Sequence, residues 1–200
     1  MLADGVRLIH VRHGETDWNA EGRLQGQLDI QMNSHGREQA THNGRKMAAR
    51  LRDEGVDPAT LRFVSSPLGR SSQTMSLIRA ELGLDGEFAR DDRLMELTFG
   101  EWSGHTYEEL KQSGSRDLVK ARKRDKWGFR PPGGETYGEL AIRIAAWLES
   151  VTSDTVVTSH GGVLRVLFGH LCGTPWHQVP GLPAPQDRFA IFSGGSVEFV

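Results

Sequence analysis

The stretch VRLIHVRHGETDWN, residues 6–19, decides how the rest of the chain is read. It opens as a short apolar, β-branched run of the kind found in strands buried on both faces. It then passes directly into Arg12, His13 and Gly14, followed by Glu15, Thr16 and Asp17. A cation and an imidazole at the exit of a buried strand are either a solvated turn or the purpose of the strand. A second stretch, TVVTSHGG at residues 155–162, has the same form: an apolar run, then His160, then Gly161 and Gly162.

Working outward, short strands alternate with helical segments and nothing divides the chain. Strands are expected at 6–11, 62–65, 87–90, 155–159, 189–192 and 196–200. Helices are expected at 34–53, 67–82, 107–112, 117–126, 137–151 and 163–171. The clearest is 137–151, where Tyr137, Leu140, Ala141, Ile144, Trp147, Leu148 and Val151 recur at helical spacing. Thr106 and Glu109 form a capping-box pattern at the start of the 107–112 helix. The alternation predicts one domain over residues 1–200, an α/β three-layer sandwich with a mostly parallel central sheet. Ligands of such sheets bind beyond the carboxyl ends of the strands, which is where Arg12-His13-Gly14 and His160-Gly161-Gly162 would meet. The glycines after each histidine are expected to let a ligand approach the backbone.

Composition narrows the class. The chain has 200 residues, 37% hydrophobic and 25% charged, with a net charge of −2. That charge argues against nucleic acid or an anionic membrane as partner. No apolar run is long enough for a signal peptide or a membrane span. Cys172 is the only cysteine, so no intrachain disulfide can form, which suits a reducing cytoplasm. No ligand spacing calls for a metal or other cofactor. His10 and His13, three apart in a strand, face opposite sides and make a poor metal pair.

The candidate residues share one chemistry. Arg12 and Arg70 (in SSPLGRSSQT) supply guanidinium forks that bind phosphoryl oxygens with paired hydrogen bonds. A neutral imidazole can attack phosphorus and split the transfer into two steps. A protonated carboxyl group, Glu96 or Glu101 in MELTFGEWSG, can supply the proton for the leaving alkoxide. The residues alone do not choose between these two glutamates.

Together these segments resemble the histidine phosphatase superfamily, also called phosphoglycerate mutase-like. RHGETDWN resembles its opening signature and RLQGQLDIQMNSHGREQA the segment that follows. SSPLGRSSQT resembles the second-arginine motif, ELTFGEWSG the acid motif, PPGGET a loop motif and VVTSHGGVLRVL the second-histidine motif. The resemblance implies that His13 is the phosphorylated nucleophile, that Arg12, Arg70 and His160 hold the phosphoryl group, and that Glu96 is the proton donor. It further implies that Asn19, Gln25, Gly26 and Gly161 line the phosphate pocket. Two departures, Gln31-Met32-Asn33 for the family's Pro-Leu-Thr and Arg70-Ser71 for Arg-Ala, carry no expected catalytic cost, because Asn33 can still cap a helix.

The function so implied is a metal-independent phosphomonoesterase acting on a small phosphorylated metabolite. The alternatives are a cofactor-dependent phosphoglycerate mutase and a catalytically weak regulatory domain that binds phospho-ligands. The short segment between Glu96 and Gly133 lacks an evident bisphosphate-binding insertion and favours the phosphatase. His35-Gly36 looks like the other His-Gly pairs, but no strand precedes it and its role reads as structural. The basic run KARKRDK, 120–126, reads as a solvated helix face, or alternatively as an anion-attracting rim over the pocket. With His105, Tyr107, Trp127, Phe129 and Arg130 it is where substrate selectivity is expected. Nothing in the sequence decides between a monomer and a homodimer.

Overall fold

The computed structural model describes residues 2–200. Six strands, β1 (Leu8–Arg12), β2 (Arg62–Ser65), β3 (Ala89–Arg90), β4 (Thr155–Ser159), β5 (Ala190–Ser193) and β6 (Ser196–Phe199), form one sheet in the order β3-β2-β4-β1-β5-β6. β1 pairs with β4, β4 with β2 and β2 with β3 in parallel; β5 and β6 run antiparallel at the other edge. The expected parallel core is present, with an antiparallel hairpin closing one side.

The helices are α1 (Asp17–Ala20), α2 (Ser34–Asp53), α3 (Gly69–Glu81), α4 (Tyr107–Leu110), α5 (Arg116–Arg124), α6 (Tyr137–Leu148) and α7 (Gly161–Cys172). Alternation along the strands explains why they form two layers. Leu8, Val64, Val157, Ala190 and Phe192 face Leu140, Ile144, Leu164 and Leu167 of α6 and α7. Ile9, Val11, Phe63, Val156 and Ile191 face Met47, Leu51, Met75 and Ile78 of α2 and α3. Each central strand thus buries both faces, as their near-continuous apolar runs predict.

Connections after β1 and β2 lead to helices on one face, and the connection after β4 leads to α7 on the other. The crevice at this switch lies between the carboxyl ends of β1 and β4, where Arg12 and Ser159 are in register.

Several boundaries differ from expectation for local reasons. α7 begins at Gly161, two residues ahead of the expected start, so the two glycines after His160 open the helix. α1, a single turn with a reciprocal Thr16–Asn19 capping box, gave no apolar period by which to find it. The 107–112 segment leaves the α-helical path after Leu110 in a wide turn over Lys111–Ser115, in which Gly114 takes φ 93°. Lys126 lies beyond the end of α5. Among the described residues no helix is long and apolar enough to cross a membrane.

Candidate active site

Strand ends deliver the polar residues to one place. His13 follows β1 and its backbone N–H donates to the Ser159 carbonyl, which extends the β1–β4 ladder past the last strand residue. His160 follows β4, and the two imidazole rings lie 5.2 Å apart, centroid to centroid. Arg70 comes from the first turn of α3, after β2. Arg12, His13, Asn19, Arg23, Leu24, Gln25, Gly26, Arg70, Glu96 and Phe99 line a cleft of about 130 Å³.

The His13 ring has a defined tautomer. Its Nδ1 lies 2.8 Å from the Gly14 carbonyl oxygen, which can only accept, so Nδ1 carries the proton. Nε2 is left with its lone pair. Burial holds His13 well below the ordinary histidine range, reinforced by Arg70 and Arg12. His160 is lowered in the same way by burial, then by Arg70 and His13, and its Nε2 is 2.9 Å from Ser66 Oγ. Both imidazoles are therefore neutral in the folded protein.

The guanidinium groups are anchored by main-chain carbonyls. Arg70 donates to Leu28 O and Gly26 O, each at 2.7 Å, and Arg12 donates to Ala184 O at 2.6 Å. Arg12 Nε, Arg70 Nε and His160 Nδ1 are buried and have no hydrogen-bond partner. Burial lowers the Arg12 guanidinium to about 10 and lowers Arg70 as well. Buried donors concentrated this way suit an anion with several acceptor oxygens.

Glu96 is half-buried at the cleft and accepts from two backbone N–H groups, Leu97 and Gly162, each at 3.0 Å. Glu101 is exposed, so position separates the two glutamates that the sequence could not. Glu96 is held from behind. Arg143 of α6 pairs with Glu135 (Nε to Oε1, 2.9 Å) and donates to the carbonyls of Arg93 and Met95, both at 2.6 Å. The PPGGET loop packs on the same segment: a Cβ on Gly100 would stand 2.1 Å from Pro132 O.

The glycines require a correction. At Gly14 and Gly162 protein fills the space that a ligand was expected to use, whereas at Gly161 the nearest atom stands 3.3 Å from a Cβ position. A Cβ on Gly14 would lie 2.1 Å from Gly36 O, and one on Gly36 would lie 2.1 Å from Glu15 O. The two glycines let the start of α2 pack against the chain leaving β1. This is the structural role of His35-Gly36, whose imidazole is exposed. A Cβ on Gly162 would lie 2.1 Å from Glu96 Oε1, so that glycine makes room for the carboxylate. Gly26 accepts from Arg70 through its carbonyl, and Asn19 Oδ1 accepts from Gln186 Nε2 at 3.3 Å.

Some residues at the cleft were not anticipated. Gln186 Nε2 donates to the His13 carbonyl at 2.9 Å, Thr74 Oγ1 accepts from Gly14 N at 3.1 Å, and Ser66 contacts His160. Each is a lone polar residue whose partner is remote in sequence. His10 turns away from the cleft to Ser159 Oγ at 2.6 Å, and burial lowers it to about 3. Among the described residues no three His, Cys, Asp or Glu side chains converge as a metal site.

Comparison with known proteins agrees with this geometry. Residues 8–193 match the model of the histidine phosphatase superfamily, branch 1. The chain is 35% identical over 178 residues to a "Probable phosphoglycerate mutase GpmB" of Salmonella paratyphi B, covering 85% of this chain and 76% of that one. A solved mycobacterial glucosyl-3-phosphoglycerate phosphatase in complex with VO3 superposes with a TM-score of 0.77 at 26% identity, covering 98% of this chain and 97% of that one. YhfR of Bacillus stearothermophilus gives 0.78 at 25% identity, with coverage of 98% and 96%. The chain belongs to the histidine phosphatase superfamily, branch 1, and is a phosphoric monoester hydrolase of that family.

Proposed function

We propose that the protein hydrolyses its phosphomonoester through a phosphohistidine on His13, without a metal ion. The observation that carries this reading is the neutral His13, Nδ1–H tied to Gly14 O, in one cleft with two buried guanidinium groups. His13 Nε2 attacks phosphorus, and the bond from phosphorus to the leaving oxygen breaks. Glu96 gives its proton to that oxygen. Arg12, Arg70 and His160 donate to the phosphoryl oxygens as charge redistributes in the transition state. Water then attacks the phosphohistidine, Glu96 takes the water's proton, and the electron pair returns to Nε2. Asn19 and Gln25 complete the lining of the pocket, and Gly161 opens α7 beside Arg12.

The curated relatives named as phosphoglycerate mutases support a second reading, in which a substrate hydroxyl replaces water as acceptor. Turnover of p-nitrophenyl phosphate, with mutase activity on phosphoglycerate assayed in parallel, separates the two. Slow hydrolysis is expected, insensitive to EDTA and reduced at least 1000-fold in His13→Ala. Undiminished hydrolysis in that variant overturns the nucleophile assignment, and inactivation by chelator overturns metal independence. An optimum at acidic to neutral pH is expected, since Glu96 must hold a proton while His13 must lack one.

A further inference from the structure

The basic run at 120–126 divides in the structure. Lys120, Lys123 and Arg124 are exposed, as a solvated face requires, whereas Arg122 is 3% exposed and Lys126 is half-buried. Arg122 Nε donates to Tyr107 Oη at 2.9 Å, and its guanidinium lies 5.3 Å over the ring of Phe99, a residue that lines the phosphoryl cleft. Its Nη1 is buried without a partner. Tyr107, Lys111, Val119, Arg122, Lys123 and Lys126 border a groove of about 330 Å³.

A third cation belongs with these two. Arg165, one turn into α7, places Nη1 3.3 Å from where a Cβ on Gly161 would stand, and Arg12 Nε lies 3.5 Å from the same point. The Arg165 head is therefore beside a guanidinium of the phosphoryl cleft. Arg165 Nε donates to Leu182 O at 2.7 Å, and Lys126 Nζ donates to Pro180 O at 2.6 Å. Neighbouring carbonyls of one loop thus hold the two cations side by side. Other arginines around this segment take carboxylates: Arg93 with Asp91, Arg130 with Glu139, Arg143 with Glu135. Among the described residues no carboxylate lies within 4.0 Å of Arg122, Lys126 or Arg165.

We infer that the alcohol portion of the substrate carries a second anionic group, a carboxylate or a phosphate, seated by Arg165 and Lys126 with Arg122 behind them. The inference rests on the phosphatase reading and names the substrate class of that site. Arg122 is buried and Lys126 and Arg165 are half-buried, none with a counter-charge, which is costly to maintain, and a bound anion offsets that cost. Lys126 is lowered to about 8, first by burial and then by repulsion from Arg165 and Arg122, consistent with a site crowded by like charge. Phe99 lines the phosphoryl cleft and lies under the Arg122 guanidinium, so the alcohol portion of a bound ester can extend from the cleft along this wall.

The test compares kcat/KM for esters that differ only in the second anion. 3-Phosphoglycerate is set against glycerol 3-phosphate, and glucose 1,6-bisphosphate against glucose 6-phosphate. At least a tenfold preference for the more anionic ester is expected in one pair, the first assigning a carboxylate and the second a phosphate. Lys126→Met combined with Arg165→Met should bring that ratio to near one, while Lys126→Arg keeps it; a folding defect would lower both esters together and leave the ratio. Ratios near one in both wild-type pairs, or a preference that survives the double variant, overturn the inference. Calorimetric binding of the same four esters to His13→Ala gives a readout independent of turnover. If no ester is hydrolysed by the wild type, the phosphatase reading fails, and the binding ratios still decide: tenfold tighter binding of the more anionic partner upholds the subsite and equal binding removes it.

Discussion

At the scale of single residues, the site depends on hydrogen-bonding direction as much as on residue type. His13 presents an unprotonated Nε2 to the cleft because Gly14 O accepts from Nδ1. Glu96 is positioned by the N–H groups of Leu97 and Gly162, in a space that only a glycine at 162 leaves open. Gly162→Ala should therefore displace the carboxylate. The atoms met, Glu96 Oε1 and Leu97 Cδ2 (2.7 Å), are the far ends of side chains and not backbone, so the fold should survive. The expected result is a fall in kcat of tenfold or more on p-nitrophenyl phosphate, with KM and thermal midpoint little changed. Equal kcat would show that the position of Glu96 does not limit the reaction. The residue types at 12, 13, 70, 96 and 160 were readable from the sequence. The choice of Glu96 over Glu101 on physical grounds was not, because only burial and partners distinguish them.

At the scale of elements, the strands act as mounts and the helix starts complete the site. α2 shows how closely these are joined. Its N-cap Asn33 accepts from Gly36 N at 2.8 Å and donates to Glu15 Oε1 at 3.0 Å, and Gly36 packs against the chain leaving β1. Asn33 thus does the capping expected where the family's Pro-Leu-Thr is absent. Asn33→Ala should cost about 1 kcal/mol of stability by denaturant unfolding, and no loss would mean that the cap is replaced by water. Long periodic helices such as α6 were legible because one face is continuously apolar. The single turn α1 and the wide turn at Lys111–Ser115 were not, since neither is long enough to repeat an apolar period.

At the scale of the whole molecule, the sheet buries three imidazoles, His10, His13 and His160, with exposures of 3% or less. All three are lowered, chiefly by burial. The unfolded chain takes up protons on these groups below about pH 6.5, while the folded protein does not. Stability is therefore full above that pH and falls as the pH drops below it, by up to about 1.4 kcal/mol per pH unit for each histidine. The thermal midpoint should decline between pH 7 and pH 5, and less steeply in His10→Gln than in the wild type if that variant folds. A midpoint that is flat over this range would show that the imidazoles are protonated in place. Vanadate or inorganic phosphate should raise the midpoint at any of these pH values, because an anion bound to the folded state stabilises it by mass action.

The sequence by itself determined the layered α/β class and pointed to the carboxyl edge, where the candidate charged residues gather. These follow from local causes: strand alternation, helical period, and strands that end in His-Gly. Tertiary structure alone decided the tautomer of His13, the backbone partners of Glu96, the Arg143 brace behind it and the true purpose of the glycines at 14, 36 and 162. It also divided one basic run into a solvated face and a half-buried cluster beside the cleft. Each of these depends on which remote segment fills the space around a side chain, and a linear pattern does not specify that.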